Sequence, residues 1–109
     1  MTRVKIEPGI CGLNTKVEAV YDDEEMEVKL TVYSACKAVQ AMMAELGDTF
    51  DPYEICLKKP GQGPMYEYAS EHFPTHVSCP TIAGIIKCTE VECGLALKKD
   101  ASIRFLEEE

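Results

Sequence analysis

The stretch that decides the fold is Met26-Glu27-Val28-Lys29-Leu30-Thr31-Val32-Tyr33-Ser34-Ala35-Cys36-Lys37-Ala38-Val39. Its first eight residues alternate strictly. Met26, Val28, Leu30 and Val32 point one way, and Glu27, Lys29, Thr31 and Tyr33 point the other. That is the pattern of a strand with one covered and one wet face. After Tyr33 the period changes. Ser34 is placed to cap a helix running to about Leu46, whose face carries Val39, Met42, Met43 and Leu46. Gly47 is placed to end it. Cys36 falls in the first turn, at the edge of the apolar face.

Toward the N-terminus, residues 14–21 alternate again, with Val17 and Ala19 on one face and a slip in register at Val20. Asp22-Asp23-Glu24-Glu25 then reads as a solvated hairpin turn rather than a cation site. Residues 3–7 make a short first strand, ended by Pro8-Gly9. Toward the C-terminus, Asp51-Pro52 opens a short helical turn with Ile55 and Cys56, and Lys58 to Pro64 is a loop by composition. A further helix over about 65–72 carries Met65, Tyr68 and Ala69 and stops at Phe73-Pro74.

Cys79-Pro80 starts the last helix, about 80–97. Proline suits the first helical position, which makes Cys79 the expected N-cap. Ile82, Ile86, Cys93 and Leu97 form one apolar stripe, and Cys88, Val91 and Leu95 a second. A helix apolar on two sides is expected to pack on both or to pair with a second copy, which suggests a homodimer. Residues 101–106 read as a closing strand, and Glu107-Glu108-Glu109 as a tail. The order β-β-β-α-α-α-α-β argues for an α+β fold with an antiparallel sheet.

At 109 residues the chain has the size of a single domain, 1–109, with globular composition (46% apolar, 28% charged). Eleven Lys and Arg against nineteen Asp and Glu give a net charge of −8. Phosphate contacts dominate nucleic-acid affinity, so no nucleic-acid partner is expected, nor attraction to an anionic membrane surface. No apolar run approaches the ~18–20 residues of a membrane span. The start, Met1 to Pro8, lacks the apolar stretch of an export signal, which points to the cytoplasm. The acidic surface suits protein partners with basic patches.

Six cysteines stand at positions 11, 36, 56, 79, 88 and 93. In a reducing compartment, clustered thiols point to metal, redox or sulfur chemistry, and the plain alternative is a small buried hydrophobe. Cys11 lies in the loop Pro8-Gly9-Ile10-Cys11-Gly12, Cys36 enters a helix after a strand, and Cys79 enters a helix after a loop. Helix N-termini offer free N–H groups and partial positive charge, which favour thiolate, the form that attacks and ligates. His76, three residues before Cys79, is a candidate fourth ligand. Cys88 and Cys93 lie on apolar stripes and read as packing residues; Cys56 is ambiguous. The spacings match no paired CxxC zinc ribbon, no phosphate-binding loop and no Ser/His/Asp arrangement.

Cys11-Gly12 before a hairpin, Tyr33-Ser34-Ala35-Cys36-Lys37-Ala38-Val39 after its second strand, and His76-Val77-Ser78-Cys79 opening the last long helix resemble the U-type iron–sulfur cluster scaffold family (IscU and the NifU N-terminal domain). The resemblance covers about residues 9–97. It implies a three-stranded antiparallel sheet with helices packed on one face, to which this chain would add its C-terminal strand. It implies that Cys11, Cys36 and Cys79 converge to hold an iron–sulfur cluster of the 2Fe–2S type, or zinc. The family carries aspartate after Cys-Gly, an aspartate associated with cluster lability, where this chain has Leu13. Lys37 stands where the family has glycine. A second resemblance covers only about 79–106: Cys79-Pro80 looks like the start of the Cys-Pro-x-Pro segment of TusA-type sulfur carriers, with Ile82 in the last position.

The expectation is a non-catalytic, cytoplasmic cluster- or zinc-binding protein with Cys11, Cys36 and Cys79 as ligands and His76 or an external group completing the site. The alternatives are a sulfur carrier or thiol-redox protein using Cys79, with Cys36 as resolving partner, and a structural domain with buried thiols and no cofactor.

Overall fold

The computed structural model describes residues 1–108. The elements run β1 (Thr2–Ile6), β2 (Thr15–Asp22), β3 (Glu27–Ser34), α1 (Lys37–Leu46), β4 (Thr49–Phe50), α2 (Pro52–Cys56), α3 (Pro64–His72) and α4 (Thr81–Glu92). The strands make one antiparallel sheet in the order β1-β2-β3-β4.

The α+β class stands, and the expected sheet is corrected in two ways. It has four strands, not three, because β4 returns after α1 and pairs Phe50 with Val28 and Thr49 with Lys29. Helices therefore do not simply follow the strands. Two residues are too few to show an alternation, which is why β4 leaves no sequence signal. The second correction is at the C-terminus. Residues 101–106 form no strand and are exposed, Phe105 fully so. Their alternation is real, but among the described residues no strand pairs with them to supply a ladder. An extended segment without one leaves its backbone groups to water.

The deciding stretch behaves as its pattern requires along β3, but the helix after it starts at Lys37 with Cys36, not Ser34, at its N-cap. Val28 and Leu30 are buried, while Met26 sits in the hairpin turn with φ 55° and stays exposed. On β2, Val17 and Ala19 are buried and Val20 faces outward with Lys16 and Glu18; the pairing with β3 runs unbroken through Asp22, so the expected slip in register at Val20 does not occur. Asp22 shapes the turn by accepting the Glu24 and Glu25 N–H groups at 3.0 and 3.3 Å. α1 buries Val39 and Met42 and ends at Gly47, whose φ of 82° favours glycine.

α4 spans Thr81–Glu92 rather than 80–97, with Pro80 instead of Cys79 at the N-cap. Its buried face is Thr81, Ile82, Ile85, Cys88 and Thr89, one stripe at helical spacing rather than the two expected stripes. This face lies on β1 and β2, and the flank touches α2. Leu97 lies beyond the helix and is exposed. Gly84 sets the approach: a Cβ there would come within 2.5 Å of the Ile6 side chain. The core joins this layer to Val17, Val28, Leu30, Met42, Ile55 and Met65. Among the described residues no helix is long and apolar enough to cross a membrane.

Candidate functional site

Cys11 is exposed in the loop between β1 and β2. That loop turns through the left-handed region at Gly9 and Gly12 (φ 119° and 66°), closed by the Gly12 N–H donating to the Gly9 carbonyl at 3.0 Å. Cys36 is the N-cap of α1 and is half-buried. Ser34 does not cap the helix; its Oγ accepts the Cys36 N–H at 3.1 Å and lies 2.7 Å from the Thr15 hydroxyl. The Ala35 N–H donates to the Asn14 carbonyl at 3.1 Å, so the exit of the Cys11 loop is tied to the turn that carries Cys36. Cys79 is half-buried two residues before α4, and its thiol donates to the Thr81 hydroxyl at 3.3 Å. His76 is exposed, and its carbonyl accepts the Cys79 N–H at 3.3 Å.

Register places these segments at one end of the sheet. Ile6 pairs with Thr15 and Thr15 with Ser34, while Gly84 of α4 rests against Ile6. The loop carrying Cys11, the turn carrying Cys36 and the approach to α4 carrying Cys79 leave from that shared edge. The side chains nevertheless do not meet as a coordination set. Among the described residues no group of three or more His, Cys, Asp or Glu side chains is arranged to hold a metal ion. The donor chemistry suits iron or zinc; the separation of the side chains does not.

The other three thiols belong to the packing. Cys88 is fully buried and donates to the Thr2 carbonyl at 3.3 Å. Burial, with the Glu92 carboxylate beside it, pushes its pKa up to about 11. Cys56, at the end of α2, is pushed up to about 12 by burial and by Glu90 and Cys93. Cys93, the C-cap of α4, is raised by burial and by Glu92. All six cysteines are free.

The opposite end of the sheet carries groups that spacing did not single out. Glu92 accepts the Thr2 hydroxyl at 2.7 Å and the Tyr21 N–H at 2.9 Å. Burial works to raise its pKa, but these two bonds and the N-terminal ammonium at 3.7 Å outweigh it and hold the carboxyl below its ordinary range. An acid continuing the Ile85-Cys88-Thr89 stripe was the available signal. Beside it opens a cleft of about 370 Å³ with Tyr21, Phe50 and Tyr53 among its walls. The Tyr21 phenol is raised by partial desolvation, then by Tyr53, Cys93, Asp23 and Asp22.

A family pattern matches residues 2–105, nearly the whole chain. The chain belongs to a family of unknown function, DUF6951. The match spans all six cysteines of this DUF6951 protein, both ends of its sheet and most of the extended C-terminal segment. No curated protein and no solved structure matches the chain.

Proposed function

We propose that this protein is a cytoplasmic, non-catalytic carrier of a thiophilic metal centre, an iron–sulfur cluster or zinc, taken up on Cys11, Cys36 and Cys79. One observation carries the reading. The segments bearing these three cysteines leave the same end of the sheet, where Ile6, Thr15 and Ser34 are in register and Gly84 packs on Ile6. The division of the thiols supports it. Cys11, Cys36 and Cys79 are exposed or half-buried beside loops, whereas Cys88 is sealed in the core and burial suppresses ionisation of Cys56 and Cys93. Thiolate, not thiol, ligates metal, so accessible thiols are the ones such a centre would use. His76, exposed in the turn before Cys79, is the fourth donor in this reading. Because the side chains do not form a ligand set as they stand, binding requires the glycine-flanked Cys11 loop to close on the other two.

The test is metal and acid-labile sulfide content of protein purified without oxygen, beside a Cys11→Ser/Cys36→Ser/Cys79→Ser variant. Iron with sulfide, or zinc, in the parent and lost from the variant supports the carrier. An equal content in both, or none in either after reconstitution with ferrous iron and sulfide or with zinc, overturns it.

A further inference from the structure

We propose that the cleft at the end of the sheet opposite Cys11, Cys36 and Cys79 binds an alkylated ammonium group. Its volume, about 370 Å³, falls within the range of small-molecule sites. Three aromatic residues contribute to its walls: Tyr21 from β2, Phe50 from β4 and Tyr53 from α2. Glu25, Glu27 and Asp51 bring three carboxylates to the same opening. Among the described residues, no Lys, Arg or His lines it, and none of these three carboxylates enters an ion pair. Uncompensated like charges around one opening repel each other, and a bound cation relieves the repulsion.

The kind of cation follows from the walls. A hard metal ion takes a close set of oxygen ligands, and these carboxylates do not form one. Aromatic faces instead attract a cation through the ring quadrupole and suit one that carries apolar methyl groups, as quaternary ammonium ions do. Among the described residues the close ring pairs are Tyr68 with His72 and with Phe73, on and after α3, so the cleft rings are not committed to stacking on one another. Asp51 already accepts the Tyr53 backbone N–H at 2.9 Å as the N-cap of α2, so its carboxylate is partly committed. Glu25 and Glu27 remain to set the charge.

Calorimetric titration with choline tests the site, with 3,3-dimethylbutanol as its neutral isostere. Choline is expected to saturate in the millimolar range or tighter and the isostere not to bind. Tyr53→Ala, at a half-exposed position, and Glu27→Gln, on the surface, should each weaken choline roughly three- to tenfold while melting like the parent. The Cys11→Ser/Cys36→Ser/Cys79→Ser variant should bind choline unchanged, which separates this site from the metal reading. Equal binding of the isostere, indifference to both cleft substitutions, or no saturable choline binding would overturn the proposal. A peptide with one trimethylated lysine that binds more tightly than choline assigns the group to a protein side chain. The reverse order assigns it to a free small molecule, and either order supports the cleft.

Discussion

The Glu92 carboxylate accepts the backbone N–H of Tyr21 at 2.9 Å, across 71 positions of sequence. The bond sits where the β1–β2 ladder runs out. Pairing ends at Thr2 with Ala19, so the Tyr21 N–H on that side has no strand beside it. Glu92 takes the place of the missing carbonyl and holds Thr2 as well, at 2.7 Å. One side chain of α4 thus fixes the end of β1, the continuation of β2 and the wall of the aromatic cleft.

Glu92→Gln should therefore destabilise the fold by about 1.5–3 kcal/mol at neutral pH, the scale of hydrogen bonds to a charged acceptor. The pH dependence has a definite sign. The folded pKa of Glu92 lies below the unfolded one, so its contribution is present above the unfolded value. It is lost as pH falls through the folded value. Urea melts of parent and variant should differ at pH 7 and converge in acid below the ordinary carboxylate range. A gap that stays constant with pH would remove the carboxylate from the account.

Gly84→Ala tests the approach of α4 to the sheet. Alanine is the better helix former, so propensity alone predicts stabilisation. The added Cβ would meet Ile6 Cγ1 and Cδ1 at 2.5 Å, and Ile6 is held in the core beneath α4. Overpacking of this kind costs about 1–3 kcal/mol, which exceeds the propensity gain. The denaturation midpoint should fall, and Ile6→Val in the same chain should recover part of the loss.

Thiol reactivity should follow burial. At pH 8, maleimide labelling read by mass spectrometry should reach Cys11 first, then the half-buried Cys36 and Cys79. Cys88 is fully buried, with its pKa pushed up to about 11, and should label only on unfolding. Cys56, pushed up to about 12, should lag behind the half-buried Cys36 and Cys79. Labelling of Cys88 at the rate of Cys11 would mean that α4 lifts from β1 in the native state.

The legible parts of this fold were those with a period long enough to repeat. β2, β3 and α1 carry four or more positions on a face, and Val17, Ala19, Val28, Leu30, Val39 and Met42 are buried as their spacing demands. α3 and the Asp51 cap of α2 were readable from turn chemistry. β4 was not, because Thr49 and Phe50 are placed by what lies beside them. On α4, Ile86 and Leu97 draw the apparent stripe around the helix and mask Ile85, which is the buried position. At the candidate sites, cysteines announce themselves by type, whereas Tyr21, Tyr53 and Glu27 are ordinary strand and helix residues until the sheet and α2 bring them to one cleft.

The C-terminal segment supplies the last prediction. Residues 97–108 form no helix or strand, and Leu97, Ile103, Phe105 and Leu106 are exposed. Leu95 is different, because its N–H donates to the Glu90 carbonyl at 2.8 Å and its side chain lines the aromatic cleft. A chain stopped after Ala96 keeps every core contact and the turn that closes α4. Surface changes away from packing usually move stability by no more than about 0.5 kcal/mol, so the truncated protein should melt with the parent. It should also keep the cleft, since Leu95 is the last residue that lines it. A loss of stability well beyond that margin would show that these apolar side chains are covered in solution, and a loss that appears only at high protein concentration would place the cover on a second copy. The pattern at 101–106 is that of a strand, and the melting comparison shows whether its apolar positions are used in solution.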